Sequence, residues 1–149
     1  PTGEFLNTDL AVLSTPGRVI DVNDERRLSG MMNGKIDLVF RYEGRYYILD
    51  WKSNFLGDAL SYYMEDQLGE AMNEANYHLQ YLLYTLALKR YLTLRLPDFD
   101  YKRDFGGVIY VFLRGIRTSG EAGIFTARPT LEDILLLEGL LTADGKIIA

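Results

Sequence analysis

Apolar and polar residues alternate with a period of two from Met31 to Phe40 and again from Arg45 to Lys52. That spacing belongs to strands, and both runs are rich in Val, Ile, Tyr and Phe. Glu43-Gly44 lies between them, where a two-residue hairpin loop belongs, and Gly supplies the positive φ such loops require. Upstream, Pro16-Gly17 signals a turn, Arg18 to Val22 predicts a short strand, and Asn23 to Arg27 a polar turn.

Beyond Ser53 the period becomes helical. Leu56 to Ser61 reads as loop, Tyr62 to Asn73 as a first helix, and Asn76 to Leu94 as a longer one ended by Pro97. In the longer helix Leu79, Leu82, Leu83, Leu86 and Ala87 cover much of the circumference, so it should pack against a sheet. Gly107 to Leu113 is a continuous apolar run suited to a buried strand. A short strand near Gly123 to Thr126 and a helix from Thr130 to Leu141 complete the pattern. This order predicts one α/β domain over residues 1–149, a mixed central β-sheet flanked by helices.

A loop at Glu43 and Gly44 also sets the hairpin register. Tyr42 faces Arg45, Val39 faces Ile48, and Asp37 faces Asp50. Alternation gives one face Ile36, Leu38, Phe40, Tyr47, Leu49 and Trp51, all apolar and therefore the expected core. The other face carries Asp37, Val39, Arg41, Tyr46, Ile48, Asp50 and Lys52. Two carboxylates about 5 Å apart at an effective dielectric near 20 repel by about 3 kcal/mol. A shared proton, a nearby cation or a bound metal ion would relieve this, and Lys52 can neutralise only one charge. Hard oxygen ligands suit Mg²⁺, which keeps waters and binds phosphate oxygens. Two readings follow: a metal site, or two solvated surface aspartates with Lys52 as an ordinary ion-pair partner. The apolar approach Tyr46 to Leu49 favours the site.

Composition narrows the chemistry. With 48% apolar and 25% charged residues the chain is an ordinary soluble type, expected in the cytoplasm. No apolar run approaches the roughly 18 residues of a membrane span, and no basic-then-apolar leader is seen. Cysteine is absent, which removes disulfides, thiolate zinc and iron–sulfur clusters within these residues. His78 is the single histidine, read as packing or exposed rather than catalytic, and no G-x-S-x-G or P-loop occurs. Net charge is -5, the wrong sign for a simple DNA-binding module. It weighs less against a nuclease whose site needs carboxylates. Lys102, Arg103, Arg114, Arg117 and Arg128 could contact phosphates or form a solvated surface. Tyr77, Tyr81, Tyr84 and Tyr91 could stack bases, although their spacing suits amphipathic packing.

An aspartate on one strand, a hairpin, and Asp-x-Lys ending the next resemble the PD-(D/E)xK nuclease superfamily. Gly34-Lys35-Ile36-Asp37-Leu38-Val39-Phe40 followed by Tyr47-Ile48-Leu49-Asp50-Trp51-Lys52-Ser53-Asn54 is similar to the nuclease domain of RecB-type helicase–nucleases. The helix segment Leu79 to Leu88 and the strand segment Gly106 to Gly115 extend the likeness over about residues 30 to 117. The resemblance implies a restriction-endonuclease-like core. It implies Mg²⁺ on Asp37, Asp50 and the main-chain carbonyl of Trp51, and Lys52 orienting or deprotonating the attacking water. Gln80 and Tyr84 fill the family's helix motif beside the site and share one helix face. It further implies DNA as substrate, exonuclease action in double-strand-break repair and recombination, RecC- and RecD-like partner subunits and a RecA-like recombinase.

The family has another acidic ligand and a histidine on a helix upstream of the first core strand. No matching motif precedes residue 30; Glu4 and Asp9 do not fit. Since the sequence begins at Pro1, the expectation is a fragment of a longer chain that lacks that helix. The rival function is a non-catalytic docking module that keeps the nuclease fold.

Overall fold

The computed structural model describes residues 4–6, 16–19, 28–31 and 35–143. Strands β1 (Glu4–Leu6), β4 (Leu38–Tyr42), β5 (Arg45–Lys52), β6 (Phe105–Phe112) and β7 (Ile124–Ala127) form one sheet in the order β1-β4-β5-β6-β7. Its β5–β6 pairing is parallel and its other pairings antiparallel, so the sheet is mixed as expected. A separate two-stranded sheet pairs β2 (Pro16–Val19) with β3 (Leu28–Met31). Helices α1 (Glu65–Glu74) and α2 (Tyr77–Arg95) connect β5 to β6. The one-turn helix α3 (Tyr101–Asp104) leads into β6, and α4 (Leu131–Ala143) follows β7. This is the expected α/β fold, a mixed central sheet with flanking helices.

The hairpin register follows from its loop. Glu43 and Gly44 both have positive φ (47° and 79°), as a type I′ loop requires. Leu38 to Tyr42 then pair with Leu49 to Arg45 in the expected register. Two expectations need correction. The single strand over Met31 to Phe40 is divided: β3 ends at Met31 and β4 begins at Leu38. Asp37 therefore lies outside the ladder, which stops at Leu38–Leu49, and does not pair with Asp50 as a strand neighbour.

The second correction concerns the faces. Val39, Tyr46 and Ile48, on the aspartate-bearing face, are buried in the main core with Leu86, Leu88 and Leu92 of α2 and Ile134 of α4. Of the face expected to be core, Leu38, Phe40, Tyr47 and Leu49 are half-buried and Trp51 is exposed, while Ile36, ahead of β4, is buried. Both faces of this hairpin are apolar over much of their length. Alternation alone could not say which of them α2 would choose. The polar turn expected at Asn23 to Arg27 lies outside the described residues.

The first helix begins later than expected. A 3-10 turn at Leu60–Tyr63 precedes α1, and Asn76 in the left-handed region (φ 54°) separates α1 from α2. Asn adopts that conformation at less cost than most residues. Tyr63, Leu68, Ala71 and Met72 pack with Tyr110, Phe112 and Ala122 in a second core cluster. The two clusters place α1 and α2 over the same face of β5 and β6.

Candidate active site

Site residues gather where β5 ends. Parallel pairing sets Asp50 beside Tyr110 and Lys52 beside Phe112. In open α/β sheets the carboxyl ends of parallel strands are where ligands bind, because connections diverge there. Alternation sends Asp50 and Lys52 to one face, under α2, and both are nearly closed to solvent at 3% and 9% exposure. Lys52 Nζ lies 2.5 Å from Asp50 Oδ1 and donates to Gln80 Oε1 at 2.9 Å. Its ammonium also sits 4.0 Å from the centre of the Tyr77 ring and 4.9 Å from that of Tyr110.

Gln80 is the hub. Its Oε1 accepts from Lys52 and from the Tyr110 hydroxyl at 2.8 Å, and its Nε2 donates to the Tyr84 hydroxyl at 3.2 Å. Tyr84 in turn donates to the carbonyl of Lys35 at 2.9 Å, tying α2 to the segment that carries Asp37. The i, i+4 spacing of Gln80 and Tyr84 makes this possible from one helix face. Asp37 is exposed, and its Oδ2 accepts the Trp51 main-chain N–H at 3.0 Å. Asp37 thus reaches β5 through a side chain where the ladder has ended.

Burial pushes the Asp50 carboxyl above the usual aspartate range, against the opposing pull of Lys52, and the nearby Asp37 adds to the rise. Burial likewise raises Tyr84, with Asp50 and Asp37 contributing, and raises Tyr110 further. Both phenols therefore remain protonated donors at neutral pH. Two carboxyl groups share a single lysine, which pairs with Asp50. Two carboxylates and the adjacent Trp51 carbonyl are hard oxygen donors, and such a set fits a hydrated divalent cation. Among the described residues, no group of three His, Cys, Asp or Glu is placed to hold a metal ion.

The structure brings Asp50, Lys52, Gln80 and Tyr84 into one network and sets Asp37 and Trp51 at its edge. Sequence reasoning passed over Tyr110 as a site residue, since its place beside Asp50 depends on the β5–β6 register. It weighed Tyr77 between base stacking and packing, not as a neighbour of Lys52. Tyr77 does pack, edge-on to Tyr110, but its hydroxyl also donates to Asn54 Oδ1 at 3.1 Å. His78 has packing partners, a hydrogen bond to the Tyr81 hydroxyl and edge contacts to Tyr81 and Phe125. Of the cations, Lys102, Arg103 and Arg128 are tied to Glu132, Asp104 and the Lys102 carbonyl at the start of β6, far from Lys52. Arg114 lies at the site end, bonded to the Ser53 carbonyl.

A family model described as the PD-(D/E)XK nuclease superfamily matches residues 5–142. The chain belongs to the PD-(D/E)XK nuclease superfamily. Within it the similarity is to RecB. The chain is 50% identical over 114 residues to the RecBCD enzyme subunit RecB of Haemophilus influenzae, covering 76% of this chain and 9% of that protein. It is 52% identical over 113 residues to the Escherichia coli RecB subunit (75% and 10%). Against a Mycobacterium tuberculosis RecB subunit it is 40% identical over 125 residues (78% and 11%). It is a RecB-type nuclease domain, and it spans about a tenth of the length of these relatives. No helix among the described residues is long and apolar enough to cross a membrane.

Proposed function

We propose that this PD-(D/E)XK domain hydrolyses DNA phosphodiester bonds with Mg²⁺ held by Asp37, Asp50 and the Trp51 carbonyl. The observation that carries this is the buried Asp50–Lys52 pair at the end of β5. A buried ion pair contributes less stability than apolar residues of similar volume, so it is weak as a structural device. Here it is also surrounded by Gln80, Tyr77 and Tyr110, which hold the ammonium in one place.

A bound divalent ion supplies Lewis acidity at the phosphoryl oxygen and lowers the pKa of coordinated water. The chain's own residues do the rest. Of the three N–H bonds of Lys52, one points to Asp50 and one to Gln80. The third can meet a phosphate oxygen or the attacking water, where a fixed positive charge stabilises the developing oxyanion. Gln80 and Tyr110 act through Lys52 by fixing its direction. Tyr84 fixes Gln80 and anchors the segment before Asp37. The relatives' name, RecBCD enzyme subunit RecB, supports RecC- and RecD-like subunits as partners. DNA near an end as substrate and a RecA-like recombinase as a further contact are our extension from the family resemblance. The role is double-strand-break repair and recombination in the cytoplasm.

The docking-module reading is favoured by one observation, the absence of a third metal-ligating acid among the described residues. Calorimetric titration with Mg²⁺ and Mn²⁺ separates the two. The nuclease reading expects saturable binding that falls at least about tenfold in Asp37→Ala and Asp50→Ala. Unchanged heats in both variants, or none in the wild type, would favour docking.

A further inference from the structure

The loop after Lys52 carries exposed apolar residues that neither core explains. Phe55 is 62% exposed, and Tyr62, Met64, Leu113 and Ile116 are also exposed, in the two segments that follow β5 and β6. Lys52 pairs with Phe112, so both segments leave the sheet at the site end. At most about 10 Å of extended chain separates Phe55 from Lys52.

This loop is fixed from several directions. Arg114 Nε donates to the Ser53 carbonyl at 2.9 Å, and the Leu56 N–H donates to the Tyr63 hydroxyl at 3.1 Å. The Tyr63 carbonyl accepts from the Gly123 N–H at 2.7 Å. Tyr63 lies so close to Gly115 that a Cβ there would fall 2.5 Å from Tyr63 Cβ and 2.6 Å from its ring. Tyr62 covers Gly57 in the same way, since a methyl group on Gly57 would fall 2.3 Å from the Tyr62 ring. A Phe held on such a scaffold keeps its ring in water at a hydrophobic cost, which a planar partner would remove.

The electrostatics choose that partner. The Arg114 guanidinium carbon lies 5.7 Å from the centre of the Phe55 ring. Among the described residues its guanidinium donates through Nε alone, to Ser53, so its terminal N–H groups can face a phosphate. Arg117 adds a second positive charge within the same turn, in a chain whose net charge is -5. An aromatic face next to arginine, beside carboxylates suited to a metal, matches a nucleotide: base on the ring, phosphate on the guanidinium. An acidic or purely apolar protein surface would satisfy only one of the two groups.

We propose that Phe55 and Arg114 form a subsite for single-stranded DNA, with a base stacked on Phe55 and its phosphate on Arg114, next to the bond to be cut. This rests on the nuclease reading of the neighbouring site and gives that reading two named contacts, one to an unpaired base and one to its phosphate. Duplex DNA keeps its base faces covered and cannot use the ring.

The test is binding by fluorescence anisotropy in chelator, where nothing is cut, using a labelled single-stranded oligonucleotide and its abasic counterpart. Phe55→Ala should weaken binding of the base-bearing strand by about 5- to 100-fold. It should leave the abasic strand unaffected, and Phe55→Trp should restore or tighten the base-bearing complex. Arg114→Gln should weaken both strands. If Phe55→Ala disturbs the fold, the Trp variant decides: tighter binding of the base-bearing strand alone supports the subsite. Equal effects on the two strands, or none, would overturn it. Binding is read apart from catalysis, so base preference without metal-dependent cutting would count only against the nuclease reading. Cutting without base preference would count only against the subsite.

Discussion

Asp50 shows at the scale of one residue how a site opposes its own fold. Its carboxyl is held above the ordinary value of 3.8, burial being the main cause. A carboxylate with a raised folded-state pKa is most favourable to folding when protonated. Its contribution is complete below the unfolded pKa and is lost as pH rises through the folded one. In chelator, Asp50→Asn should therefore raise the thermal midpoint at neutral pH, and the gain should shrink as pH falls toward 4. A midpoint that drops at neutral pH would mean that the Lys52 pair is net stabilising. Gln80 gives the converse case, since it touches Lys52 and Tyr110 without reaching the carboxylates. Gln80→Ala should slow cutting by about 10- to 100-fold, the usual cost of losing a partner that orients a site residue. Steady-state rates at saturating metal measure this, and an unchanged rate would remove Gln80 from the mechanism.

Elements set how the residues meet. The β4–β5 hairpin was legible because its loop and alternation are local: Glu43-Gly44 determines the register of every pair. What was not legible is non-local. The face chosen by α2 depends on β6 and α4, whose Val108 and Ile134 share the core with Ile48. The break before Leu38 was hidden by apolar alternation that runs through it, and it frees Asp37 to bond the Trp51 N–H. That Asp50 and Lys52 share a face was read from alternation and that Gln80 lies beside them from the family likeness, whereas Tyr110 needed the parallel register. The hairpin offers a prediction of its own. Glu43 holds φ 47°, a conformation that Asn adopts more easily. Glu43→Asn should stabilise by about 0.5–1 kcal/mol, or about 2–4 °C in thermal midpoint, with cutting unchanged. A lower midpoint would show that Glu43 makes a compensating contact.

At the scale of the whole molecule, a net charge of -5 opposes the proposed DNA substrate. Such a charge gives little long-range attraction for DNA, so the proposed binding would rest on local groups such as Phe55 and Arg114. A longer chain that includes the upstream acidic and histidine residues implied by the family should need less Mg²⁺ for half-maximal cutting. Equal metal dependence would show that Asp37, Asp50 and Trp51 suffice. Everything proposed for the site depends on these groups, with Lys52, cutting DNA. Cleavage of end-labelled single-stranded DNA in Mg²⁺, comparing this chain with Asp50→Ala, tests that dependence without intermediaries. Metal-dependent products should form with the wild type and fall at least about 100-fold in the variant. No cutting by either chain, or equal cutting by both, would contradict the proposed mechanism.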